Sequence, residues 1–180
     1  LAVWNDRPGV VSPTIVPTGG RLIHGNELLA HVLPGYDQTR RFRSPQHTLS
    51  RVLAVLRSSR VGTPVGWMCS AAVGNAAGVF VGYLLLAALI GNQDRHHENW
   101  GLVNAPASGL TLAPTFDHAS SLGRNETDAV RVERLTTRDA GRSLATYVRR
   151  ARSGLYKSKV SDRPMTTFDA FLEAAALPPA

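Results

Sequence analysis

Between Arg60 and Asp94 the chain carries no charge, and from Val79 to Ile90 it is continuously apolar. That run falls short of the roughly 20 residues a helix needs to cross a bilayer, and it suits a helix buried in a protein core. The half before it, "VGTPVGWMCSAAVGNAAG", is diluted by Gly, Pro, Ser and Asn, which argues further against a membrane span. Directly after the run comes "GNQDRHHENW". A polar loop at the mouth of a core helix either aims its groups at a ligand or is a solvated turn.

The flanking patterns place this loop in a mostly helical chain. A helix is expected over Asn26–Leu33, capped by Asn26 and stopped by "PG". A second starts at Ser44 as cap with Pro45 at its first position, and places Leu49, Val52, Leu53 and Leu56 on one face. After the core helix at Val79–Ile90, "WGLV" and "LTLAP" read as two short strands around the turn "NAPASG". A further amphipathic helix is expected over Arg138–Ser153, with Leu144, Tyr147, Val148 and Ala151 on one side, and a last one from a Thr167 cap through Phe168, Phe171, Leu172 and Ala175. The opening "LAVWNDRPGVVSPTIVP" reads as short extended pieces around an "NDRPG" turn. Trp4, Trp67 and Trp100 read as core or edge packing residues, and Gly74 and Gly78 as a loop.

At 180 residues the chain can bury a real core. The single Cys69 excludes an internal disulfide and a Cys-based zinc site; with no signal-peptide pattern at the start, the cytoplasm is the expected compartment. The net charge of +7 and pI near 10.5 favour anionic partners. The Arg-rich knots "RRFR" at Arg40–Arg43 and "YVRRAR" at Tyr147–Arg152 lack interleaved stacking aromatics, so they read as solvated faces and nucleic acid is not required.

The order helix, loop, strand, turn, strand returns Asp117, in "LAPTFDHASSLG", toward the loop that holds Asp94 and Asn99. Phosphoryl transfer asks for this set: one carboxylate to take the proton of the attacking hydroxyl, and oxygen donors from Asn and Asp to hold Mg²⁺ against nucleotide phosphates. Asp94 and Asn99 also stand in the D-x-x-x-x-N spacing of kinase catalytic loops. His96 and His97 are adjacent, unlike the i, i+4 pair of a helical zinc site, and His118 reads as a loop residue bonded to backbone. "GNQD" is also close to the G-N-H-[DE] of two-metal phosphoesterases, but that reading wants a His at Gln93 and an upstream D-x-H, and neither is present.

"IGNQDRHHENW" followed by "LAPTFDHASSLG" resembles the HipA-like serine/threonine kinases, whose pattern is G-N-x-D-x-H-x-x-N and then L-x-P-x-[YF]-D. "RLIHGNELLA" resembles the segment linking their two lobes, and "YVRRARSGLYKSKVSDRPMTTFDAFLEAA" the helical tail of short members. The resemblance implies an α+β fold, mostly helical, a kinase-like C-terminal lobe with a small β-hairpin at the active site. Residues 1–20 would end a nucleotide lobe and hinge, and 21–180 would form the catalytic lobe. It also implies ATP and Mg²⁺ as cofactors, Asp94 as catalytic base, His96 as a residue ordering the loop, and Asn99 and Asp117 as the nucleotide- and metal-binding pair. The acceptor would be a Ser or Thr hydroxyl of a protein, and the toxin role of some family members would bring an antitoxin partner. Two departures stand out. Glu98 replaces a Lys common in such loops, a loss for which Arg95 is expected to compensate, and the chain has no Gly-rich phosphate loop and no Lys before Lys157. The same Asp-x-His-x-x-Asn order recurs in phosphatidylinositol kinases, so a lipid kinase is the nearest alternative. A non-catalytic binding module retaining this lobe is the alternative of a different class.

Overall fold

In the computed structural model, which describes residues 2–68 and 73–177, a three-stranded antiparallel sheet forms the floor from which the polar loop is hung. Cys69 lies outside the described residues. The sheet has the order β3 (Arg21–His24), β4 (Gly101–Ala105), β5 (Gly109–Leu112), with a separate ribbon of β1 (Ala2–Trp4) and β2 (Arg7–Gly9) before it. The expected hairpin is therefore present with its turn shifted to residues 106–108. Its third partner, "RLIH", pairs Leu22 with Val103 and Ile23 with Leu102. The β1–β2 ribbon turns at Asn5 and Asp6, both in the left-handed region that Asn and Asp tolerate. Trp4 on it is 81% exposed, so it is not the packing residue expected; the ribbon pairs with no other strand among those described.

Six helices complete the described chain: α1 (Gly25–Val32), α2 (Leu49–Leu56), α3 (Ala76–Leu89), α4 (Asp128–Thr136), α5 (Leu144–Arg150) and α6 (Thr167–Ala175). Most starts differ from expectation because a stronger cap lies nearby. α1 begins directly off β3, where Glu27 Oε1 accepts from the His24 amide, so Asn26 sits inside the helix. α2 is capped by Thr48, whose hydroxyl accepts from Arg51 N–H, and the Ser44–Gln46 segment stays outside. Asn75 caps α3 through Gly78 N–H at 2.8 Å, which draws Ala76 to Gly78 into the helix. Thr166, not Thr167, caps α6. The expected helix over Arg138–Ser153 is shorter: Ser143 caps α5 after a turn, and the chain leaves the helix beyond Arg150. α4 has no counterpart in the sequence pattern, and none of its residues is buried.

One hydrophobic core joins these elements. Leu29 of α1, Val52 and Leu53 of α2, Phe80 and Leu84 of α3, Leu102 of β4, Leu112 of β5 and Ala170 of α6 are each at most 2% exposed within it. α3 is its axis and packs most extensively on α6. Among the described residues, no helix is long and apolar enough to cross a membrane. Consequently the apolar run serves the core, and its C-terminal end fixes where the polar loop emerges.

Candidate active site

The loop leaves α3 through Gly91, whose φ of +59° favours a residue without Cβ and turns the chain away from the helix axis. Asn92 is wholly buried; its N–H donates to Ala87 O, and its Oδ1 accepts from Asp94 N–H at 3.0 Å. These bonds fix the backbone on which Asp94 stands. The Asp94 side chain is 26% exposed, with Oδ2 accepting weakly from Ser120 Oγ at 3.4 Å and Oδ1 lying 3.5 Å from His96 Nε2.

His96 faces a donor at each ring nitrogen: Glu98 N–H lies 3.2 Å from Nδ1, and the half-exposed Arg41 donates Nε–H to Nε2 at 3.1 Å, with Asp94 Oδ1 3.5 Å from the same Nε2. Burial holds the His96 pKa below its ordinary value against the pull of Asp94, so the ring is neutral at pH 7.

Asn99 is buried, and its Nδ2–H donates to the Asp94 carbonyl at 2.6 Å. Its Oδ1 accepts no hydrogen bond among the described residues and is left available. Asp117 is exposed in the left-handed region at φ +52°, in the irregular segment that follows β5. Arg95 joins the two segments: Nη1 donates to Asn99 O at 2.8 Å and Nη2 to Thr115 Oγ1 at 3.1 Å. The Asp117 carboxylate is close enough to act on the charges of both Arg95 and His96. Asp94 and Asn99 are thus bonded within one loop, and Asp117 lies within electrostatic reach of that loop through Arg95 and His96.

One detail corrects the sequence reading. Arg95 is 1% exposed and runs into the protein, with its pKa lowered to about 10 by burial, so it cannot stand in for a phosphate-facing cation. His118 is bonded to the Thr115 backbone as expected, and is held as well by the side chains of Asn92 at 3.4 Å and Thr115 at 3.1 Å. Glu98 turns outward to pair with Arg41 at 3.3 Å, and its carbonyl accepts from His24 Nδ1.

Behind the loop stands a group that sequence reasoning misses. His97 Nδ1 meets the Tyr36 hydroxyl at 2.7 Å; His47 Nδ1 donates to Gly154 O, and His47 Nε2 accepts from Trp100 Nε1 at 3.1 Å. Gly154, at φ +72°, lies so close to the loop that a Cβ there would approach Arg95 O to 2.8 Å. These partners come from segments tens of residues apart, so no local pattern could have announced them.

As for a metal, no group of three or more His, Cys, Asp or Glu among the described residues is placed to hold one alone. The free Asn99 oxygen and the exposed Asp117 carboxylate are hard donors that suit Mg²⁺ when phosphate oxygens supply the remaining ligands.

The sequence matches no protein-family model. No curated protein matches it either. Among solved structures, the fold is similar to that in the crystal structure of a Helicobacter pylori proinflammatory kinase, CtkA, with a TM-score of 0.53 at 19% identity. The alignment covers 87% of this chain and 54% of that one, so the chain spans about half the length of that kinase. The α+β architecture, mostly helical with small antiparallel sheets, is therefore kinase-like.

Proposed function

We propose that the chain carries the catalytic loop and metal site of a HipA-like kinase that transfers the ATP γ-phosphoryl group to a Ser or Thr hydroxyl of a protein. The observation that carries this reading is the Arg95 bridge, which ties Asn99 to Thr115 in the segment that carries Asp117, while the Asn99 amide is tied to the backbone of Asp94. That arrangement commits the nitrogen of Asn99 to structure and leaves its oxygen for a cation. The kinase-like fold supports it.

In this reading Asp94 receives the hydroxyl proton. His96 Nε2 lies 3.5 Å from that carboxylate and does not compete for the proton, because burial keeps the ring neutral. Asn99 and Asp117 would hold Mg²⁺, which supplies charge neutralisation at the phosphates when bound. A cavity of about 600 Å³ between the 12–18 segment and Val103, Thr111 and Leu112 offers an apolar wall for the purine. Residues 1–20 then belong to the junction with a nucleotide lobe. For a lipid kinase a basic loop facing a headgroup would be wanted after Asp117, and "RNETDAVR" is mixed in sign.

Calorimetry of ATP binding with and without Mg²⁺, on the longest natural reading frame containing this chain, tests the proposal. Mg²⁺-dependent binding is expected, lost in Asp117→Ala and kept in Asp94→Asn, with Asp94→Asn abolishing transfer to a Ser/Thr acceptor. Transfer that survives Asp94→Asn would refute the assignment.

A further inference from the structure

Beside Asp94 opens a cavity of about 350 Å³ whose wall includes Arg41, Phe42, Arg43, Arg152 and Tyr156. Asp94 is the one carboxylate in that wall among the described residues. The Arg41 charge is largely answered by Glu98. Arg43 makes no hydrogen bond or ion pair among the described residues, and its backbone sits in the left-handed region at φ +52°. Arg152 donates Nη1 to Pro164 O at 3.0 Å, a neutral acceptor that fixes the guanidinium without cancelling it. The three histidines of the wall, His47, His96 and His97, have lowered pKa values because they are buried, and add no charge at pH 7. Burial raises the pKa of the Tyr156 hydroxyl against the opposing charges of Arg40 and Arg43, which places both guanidiniums near it.

We propose that this cavity recognises the acceptor: a peptide carrying a carboxylate or phosphoryl group beside the hydroxyl to be phosphorylated. The proposal rests on Asp94 being the base. Two uncompensated guanidiniums against one carboxylate give a local excess of positive charge, and the Arg fork matches carboxylate and phosphate oxygens in pairs. The site is a recess with one exposed ring, Phe42, and lacks the row of stacking aromatics that single-stranded nucleic acid asks for. A recess also differs from the run of cations that reads a membrane surface.

Fluorescence anisotropy with labelled peptides tests the proposal without nucleotide. The probes are a Ser flanked by Glu, the same peptide with Gln in place of Glu, and one with phosphoserine in place of Glu. The Glu and phosphoserine peptides should bind about tenfold more tightly than the Gln peptide, a preference worth about 1.4 kcal/mol. Arg43→Glu combined with Arg152→Glu should erase the preference with circular dichroism unchanged, Arg43→Lys should keep most of it, and Asp94→Asn, which removes the one carboxylate of the wall, should keep or strengthen it. Equal binding of the Glu and Gln peptides, no binding, a preference that survives charge reversal, or tighter binding of an RNA oligomer would each overturn the proposal. So would a Glu peptide that binds yet receives no phosphoryl group from a reading frame that phosphorylates other acceptors. A frame that binds no MgATP while the acidic preference persists would instead sink the kinase reading, and the acceptor role with it, leaving only an anion site.

Discussion

Arg95 is buried with no carboxylate bonded to it, and its Nε finds no partner among the described residues. Burying a guanidinium on these terms costs several kcal/mol, so stability does not account for its presence. What it does is hold Asn99 O and Thr115 Oγ1 at the ends of one rigid fork. Replacing it with Met of similar length relieves the desolvation and loses both bonds, two effects of comparable size. Arg95→Met should therefore change folding stability by no more than about 1–2 kcal/mol in chemical denaturation, while hydrogen exchange at the Asn99 amide and over 113–117 speeds up and Mg²⁺-dependent nucleotide binding weakens. Unchanged exchange in that variant would show that the fork holds nothing in place.

At the level of elements, the junction of β3, α1 and Trp100 bears most directly on the loop. Gly25 begins α1, donates its N–H to Trp100 O at 2.9 Å, and lies against the Trp100 ring so closely that a Cβ would collide with Cε2 and Nε1 and come within 2.6 Å of His97 O. Gly25→Ala should cost about 2–3 kcal/mol by overpacking, whereas Gly82→Ala, on the exposed face of α3 with open space around it, should stabilise by about 0.5–1 kcal/mol. Thermal melts of the two variants moving in the same direction would contradict this account. The contrast also shows what the sequence can say. α2, α3 and α6 are readable because their apolar residues recur at helical spacing or run unbroken, and Asp94, Asn99 and Asp117 because their spacing is a chemical requirement. α4 is not readable: it buries nothing, and its support is the Thr127 cap with the pairs Asp128–Arg131 and Glu126–Arg134. β3 hides its role because its partner β4 lies far along the chain. The inward turn of Arg95 and the gathering of Arg43 and Arg152 at one cavity are equally non-local.

On the scale of the whole molecule, four buried or half-buried histidines, His47, His96, His97 and His118, have pKa values below the ordinary value, in each case chiefly through burial. His47 is the extreme, pushed down to about 3, and its geometry agrees: one ring nitrogen donates to Gly154 O and the other must stay unprotonated to accept from Trp100 Nε1. An unfolded chain takes up these protons near pH 6.5, the folded chain only well below it. Folding is therefore at full strength above about pH 7 and loses ground as the pH drops from 6.5 toward 3, with His47 alone contributing a slope of up to about 1.4 kcal/mol per pH unit. Urea denaturation at pH 5, 6, 7 and 8 should show a plateau at the two higher values and a steep fall at the two lower ones. In His47→Gln, whose amide can both donate to Gly154 O and accept from Trp100, the fall should be shallower by close to one proton. Because His47 and His97 back the same loop that carries Asp94, acid should loosen the site as it weakens the fold, and exchange at residues 94–99 should rise over the same pH interval. A flat stability profile between pH 5 and 7 would mean that these rings accept protons in place.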